Sequence, residues 1–252
     1  MATHSQRLSD IGFGALGLIA LPVLWELAGR SGLFGLTLPA LSRVIDVYEV
    51  HASWELILRS AGATFLASAI GLLAGVTLGI LTAVTARLLP PIRDGLNAVA
   101  LIVNIAPAIA IAPFLILTFG PLYTPAVLAS VHVYFLTFAA TSSGLTSASR
   151  TLNDLFTALG AMRWSRLFRL EIPIALPFFV GSLRASVSAA LIGAVVGEWF
   201  GASRGLGILI LNAMQNFQIP LLWAAVLIVA AAGLSGFALM SLVHQITLRR
   251  FS

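Results

Sequence analysis

Long apolar runs broken by short polar stretches dominate the chain. A membrane-spanning helix needs about 20 largely apolar residues. Six segments are candidates: Ile11–Leu27, Ala61–Val84, Leu96–Phe119, Ala126–Gly144, Phe178–Val196 and Leu221–Val243. From Leu96 to Ser149 there is no Asp, Glu, Lys or Arg, a stretch too long for one crossing. The turn-rich string Gly120-Pro121-Leu122-Tyr123-Thr124-Pro125 divides it. Gly32 to Arg59 reads as a mixed loop with Pro39 and a short amphipathic piece. In the second predicted span Gly71, Gly75 and Gly79 recur every four residues on one helix face, which permits close helix approach. An internal seam is the plainer reading of that face; a dimer interface is the other.

The pattern changes at Asp154–Pro177, DLFTALGAMRWSRLFRLEIPIALP. Leu152, Leu155, Phe156 and Leu159 fall at helical spacing on one apolar face. Asn153 and Asp154 are expected near the N-terminal end of that helix, where a side-chain oxygen caps and the dipole favours a carboxylate. Gly160 is placed to leave it through a left-handed conformation. Trp164, Leu167 and Phe168 begin a second apolar face, with Arg163, Arg166 and Arg169 beside it. Pro173 and Pro177 then punctuate the entry to the fifth span. This spacing predicts two short amphipathic helices hinged at a glycine. They are either a grip for a partner or helices resting at the membrane interface.

Composition fixes the class. Of 252 residues, 59% are hydrophobic and 9% charged, against about 25% charged in a soluble domain. The chain is expected to be an all-α integral membrane protein. It has no cysteine, so disulfide and thiolate chemistry are excluded. There is no lysine, so arginine supplies all 14 permanently positive side chains. A phosphate-binding loop of the G-x-x-x-x-G-K-[ST] type needs its lysine, so ATP hydrolysis by such a loop belongs on another polypeptide.

Six spans put both termini on one side. With the N-terminus inside, the inner side holds Arg7, Arg87, Arg93, Arg150, Arg163, Arg166, Arg169, Arg249 and Arg250; the outer side holds Arg30, Arg43, Arg59 and Arg204. The asymmetry predicts cytoplasmic N- and C-termini and a cytoplasmic 154–177 segment.

The 154–177 segment resembles the cytoplasmic loop of binding-protein-dependent ABC importer permeases, E-A-A-x-x-x-G-x(9)-I-x-L-P. Here it reads Asp154-Leu155-Phe156, Gly160, nine residues, then Leu170-x-Ile172-Pro173. The departures are Asp for Glu, Leu-Phe for Ala-Ala and Leu-x-Ile for Ile-x-Leu. Asn104-Ile105-Ala106-Pro107 through Gly120, and Gly197-Glu198-Trp199-Phe200-Gly201 through Gly207, are similar to the nitrate/sulfonate/taurine branch. The Glu-Trp pair is similar to members that import thiamine-pyrimidine precursors, and Ile208 stands where a tyrosine is frequent.

The resemblance implies a type I importer (MetI-like) fold of about six transmembrane helices, residues 1–252 forming one permease domain with a coupling loop at about 150–173. It implies a bacterial inner-membrane protein with three partners: a second permease subunit, a homodimer being the simplest case; an extracytoplasmic solute-binding protein; and a cytoplasmic ATPase that binds the ATP. The chain itself is then not an enzyme and holds no cofactor or metal. The matched positions make Asp154, Leu155, Phe156, Leu159 and Gly160 the coupling helix, with Leu155, Phe156 and Leu159 entering the ATPase cleft and Arg163 or Arg166 on its rim.

Asn104, His132, Thr137, Ser182, Arg184 and Glu198 are the candidates for a translocation path. An intramembrane charge such as Arg184 is a functional candidate by default, facing an anion; snorkelling to the headgroups is the plainer reading. Each of the other polar residues more often makes a helix–helix hydrogen bond. His132 and His244 are too isolated to hold a metal. The Gly201–Gly207 string is expected to be a turn before a short external helix. An ion-coupled transporter or channel is the alternative, yet the spans lack acidic relays and inverted repeats. A membrane enzyme would need paired carboxylates or a nucleophile–base pair, and neither is found in the sequence.

Overall fold

The computed structural model describes residues 4–251, with side chains at Gly17 and from Ile19 to Arg249. Helices follow one another without a strand among the described residues: α1 (His4–Ser31), α2 (Leu41–Glu49), α3 (His51–Leu88), α4 (Arg93–Ile105), α5 (Ala108–Leu145), α6 (Arg150–Ala158), α7 (Arg163–Arg166), α8 (Ile172–Glu198), α9 (Leu206–Gln215) and α10 (Ile219–Phe251). Four stretches are long and apolar enough to cross a membrane among the described residues: His51–Leu88, Ala108–Leu145, Arg163–Glu198 and Ile219–Arg249. They contain the second, fourth, fifth and sixth predicted spans. The first predicted span falls in α1; its residues 11–16, like Arg7 and Arg250, lie outside the described side chains.

The chain divides into two compact units, residues 1–58 with 209–227 and residues 59–208 with 228–252. In the first, Trp25 and Trp223 meet edge to face at 4.9 Å. Their indole N–H groups donate to the carbonyls of Pro39 (3.1 Å) and Thr37 (3.0 Å). Tyr48 donates to the Ala224 carbonyl at 2.8 Å, and Glu26 accepts from the backbone and hydroxyl of Ser42, both at 2.9 Å. Most of the expected loop from Gly32 to Arg59 is helical, in α2 and the start of α3.

The second unit is built on α3, α5 and α8. A Cβ on Gly71, Gly75 or Gly79 would come within 3 Å of α5, at Ala129, at Ser130 and Val133, and at Tyr134, Phe138 and Thr137. The glycine face is thus an internal seam, and its contacts advance in the same direction on both helices, so α3 and α5 run parallel. Gly193 meets Ala129, Gly197 meets Pro125, and Gly144 meets Ala175; α8 is antiparallel to α5. The interior is made of small residues, including Ala83, Ala100, Ala129, Ala190 and Ala194, which let backbones approach where apolar burial from lipid supplies little force.

Parallel packing of α3 on α5 has a topological consequence. Extending the register places Gly120 level with Gly62, so the chain must return about 40 Å after Leu88. The third predicted span makes this return, but not as one helix. It is broken at Ala106 and Pro107, whose ψ of 121° is extended; α4 and residues 108–119 share the distance. Proline lacks the N–H and disfavours helix in the residue before it. The predicted break before the fourth span is a single residue, Gly120, at φ 76° and ψ 169° inside α5.

Candidate functional site: the loop at 149–171 and its two polar anchors

α6 is a nine-residue helix between α5 and α8. Its N-cap is Ser149, whose hydroxyl accepts from the Leu152 N–H at 3.3 Å. This corrects the expectation that Asn153 and Asp154 stand at the N-terminus: both lie in the second turn. At the other end Gly160 has φ 65°. Gly160 N–H donates to the Thr157 carbonyl and Ala161 N–H to the Phe156 carbonyl, both at 3.0 Å. This paired closure with a left-handed residue ends a helix sharply, and an L side chain there would cost about 1–2 kcal/mol.

α7 does not end as the predicted second short helix. The chain continues from Arg163 through a π-helical turn at Leu167–Glu171 directly into α8. The wide turn lies just before Pro173, whose ring has no N–H and crowds the carbonyl four residues earlier. Pro173 and Pro177 are accommodated inside the long helix.

The apolar face of α6 is divided. Leu152, Leu155, Leu159 and Met162 are exposed, Leu159 by 73% and Met162 by 80%; Phe156 is half-buried. Asp154 and Arg163 are exposed. Arg166 points inward. Its Nη2 donates to Asn153 Oδ1 at 2.5 Å, and its Nε lies 3.1 Å from Glu171 Oε1. Glu171, 3% exposed, also accepts a forked pair from Arg87 of α3, Nε to Oε2 at 2.8 Å and Nη2 to Oε1 at 2.5 Å. The chain Arg87–Glu171–Arg166–Asn153 therefore ties α6 and the start of α8 to the end of α3. Sequence reasoning missed Arg87 and Glu171. The one available signal was a lone glutamate amid arginines and apolar residues.

A second anchor lies at the other end of α3 and α8. Glu198 is 1% exposed. Its Oε1 accepts from the Thr64 hydroxyl at 2.7 Å and its Oε2 from the Gly207 N–H at 2.6 Å. Thr64 Oγ1 in turn accepts from the Leu206 N–H at 2.8 Å. Gly205, at φ 143°, touches this carboxylate so closely that a Cβ would overlap it. The expected turn at Gly201–Gly207 is thus a pocket for Glu198, and α9 follows it as the short helix.

The path candidates are not gathered. Asn104 is exposed on α4. His132 Nδ1 lies 2.8 Å from the Leu128 carbonyl, and Ser182 donates to the Phe179 carbonyl at 2.7 Å, each within its own helix. Thr137 is fully buried against Gly79. Arg184 Nε reaches only the Gly181 carbonyl at 3.2 Å, with no acidic partner among the described residues. Cavities of about 360 Å³ between α3, α8 and α10 and about 590 Å³ between α8 and α10 are lined by none of the six. No cluster of metal-ligating side chains occurs among the described residues.

This architecture matches known proteins. The family model described as binding-protein-dependent transport system inner membrane component covers residues 75–252. The chain belongs to this family, the permease subunits of ABC importers. The permease is 33% identical over 226 residues to a probable ABC transporter permease protein of Haemophilus influenzae, covering 88% of this chain and 91% of that one. It is 30% identical over 234 residues to the formylaminopyrimidine transport permease ThiX of Halalkalibacterium halodurans (92% and 93% covered). It is 25% identical over 246 residues to the taurine permease TauC of Escherichia coli (90% and 88% covered). These relatives place it in the nitrate/sulfonate/taurine branch. A solved inward-facing structure of the MetNI methionine ABC transporter matches with TM-score 0.53 at 19% identity, over 75% of the permease and 94% of that chain. That likeness shows the type I importer fold. The permease is a multi-pass inner-membrane protein whose family works with an ATPase and a binding protein.

Proposed function

We propose that the permease forms, as a pair of identical copies, the membrane path for a small solute, and that α6 is the coupling helix gripped by a cytoplasmic ATPase. The observation that carries this is the split face of α6. Leu155 and Leu159 stand out to solvent while Phe156, Asn153 and Arg166 hold the helix from behind. An exposed apolar edge on a rigidly anchored helix can transmit force. Arg166 is committed inward to Asn153 and Glu171, so the exposed leucine edge rather than an arginine makes the grip. ATP is bound by the partner, the permease itself needing no cofactor, and both termini lie in the cytoplasm, as the arginine asymmetry predicts.

The solute is a small heterocyclic precursor of the kind named for ThiX, or a sulfonate-like anion of the kind named for TauC, handed over by an external binding protein. Arg184 is the path residue with the most to offer an anion, because most of its donors are uncommitted among the described residues. Glu198 is a structural tie between α8 and α9. Replacing Gly160 by leucine should leave membrane insertion intact and uncouple ATP hydrolysis from uptake in reconstituted vesicles. Full uptake by Gly160→Leu would reject the coupling assignment.

A further inference from the structure

Between the end of α3 and the segment that begins at α7 lies a cavity of about 200 Å³, lined by Arg87, Leu88, Pro90, Arg163, Arg166 and Glu171. Three arginines and one carboxylate line it. Glu171 spends both oxygens on Arg87 and is also paired with Arg166. Arg163 makes only a long bond, Nη1 to the Leu88 carbonyl at 3.5 Å, and has no acidic partner among the described residues. The cavity is left with net positive charge and unused N–H donors. Guanidinium forks suit a phosphate.

The surroundings say where that phosphate comes from. The cavity sits where the apolar α3 ends, beside exposed Leu89 and Ile92. Trp164 and Phe168, each 60% exposed, stack at 5.9 Å between centroids on the same segment as Arg163. Exposed aromatics next to arginines at a helix end mark the headgroup level of a bilayer, and basic pockets between spanning helices take anionic headgroups.

We infer that Arg87, Arg163 and Arg166 bind the phosphate of an anionic phospholipid, with its tails running past the exposed aromatic pair. The bound headgroup would brace α7 against α3 and thereby hold α6 in place. This is independent of which solute the permease carries.

The test is native mass spectrometry of the assembled transporter, released from detergent after incubation with phosphatidylglycerol or phosphatidylcholine. The wild type should retain phosphatidylglycerol and not phosphatidylcholine. Arg163→Gln should lower that retention about tenfold, the scale for losing one charge-assisted contact. Arg169→Gln removes the same charge from the same segment outside the cavity and should leave retention unchanged. Equal loss in both variants would reduce the effect to diffuse charge and overturn the site. Displacement by millimolar inorganic phosphate would make the ligand free phosphate instead. Retention by the isolated permease but not the assembled transporter would mean that the ATPase fills the cavity. Should Arg163→Gln fail to assemble, Arg163→Lys keeps the charge without the fork. It should retain less phosphatidylglycerol than wild type, and undiminished retention would reject the phosphate fork.

Discussion

Thr64→Val tests the buried anchor at Glu198. Valine keeps the volume of threonine and removes one oxygen. That oxygen donates to Glu198 Oε1 and accepts from the Leu206 N–H, so the substitution leaves a carboxylate oxygen and a backbone N–H unpaired in a site with no exposed surface at Thr64. An orphaned buried polar group costs about 1–3 kcal/mol, so two cost about 2–6 kcal/mol. For a chain of this size the apparent melting temperature should fall on the order of 10 °C. The assay is thermal unfolding of the purified protein in detergent at one scan rate, because unfolding of such proteins is a rate process. Thr77→Val is the reference. Thr77 is exposed and its hydroxyl donates only to the Leu73 carbonyl of its own helix, so its loss should stay within about 0.5 kcal/mol. Equal shifts for the two variants would refute the anchor.

Gly75→Leu should abolish close packing of α3 on α5, since even a Cβ would lie 2.6 Å from the Ser130 carbonyl oxygen; folded yield should collapse. Gly62→Leu on the same helix, with nothing within 4 Å, should express normally. Arg87→Met leaves Glu171 buried with Arg166 alone and should destabilise by about 2 kcal/mol, less than the 3–5 of a fully buried pair because Arg87 is 31% exposed. Adding Glu171→Met should restore part of that loss in unfolding measurements, and a purely additive double variant would count against the pair.

The legible features of the sequence were those with a short period or a local cause. Runs of apolar residues gave the second, fourth, fifth and sixth spans, the four-residue glycine repeat gave the α3–α5 seam, and Gly160 showed where α6 ends. Helix breaks were harder. Gly120 is visible in a turn-rich string, whereas Ala106-Pro107 sits inside one apolar run, where composition does not separate a kink from a break. The two anchors were illegible because each joins residues far apart in the chain, Arg87 to Glu171 and Thr64 to Glu198. Neither pairing has a period. Glu198 was seen as a path candidate because an acid at a span end reads the same whether it faces a channel or a pocket of glycines. The expectation sets Phe156 in the cleft with Leu155 and Leu159, and Arg163 or Arg166 on its rim. Helical spacing put them on one loop but could not say that Arg166 turns back to Asn153 and Glu171.

The grip of the ATPase on α6 can be read directly, because the natural chain has no cysteine. Leu159→Cys supplies a single thiol at a position 73% exposed in the permease alone. A maleimide probe should label it readily in the isolated permease and be blocked when the ATPase subunit is bound. Equal labelling in both states would contradict α6 as the coupling helix.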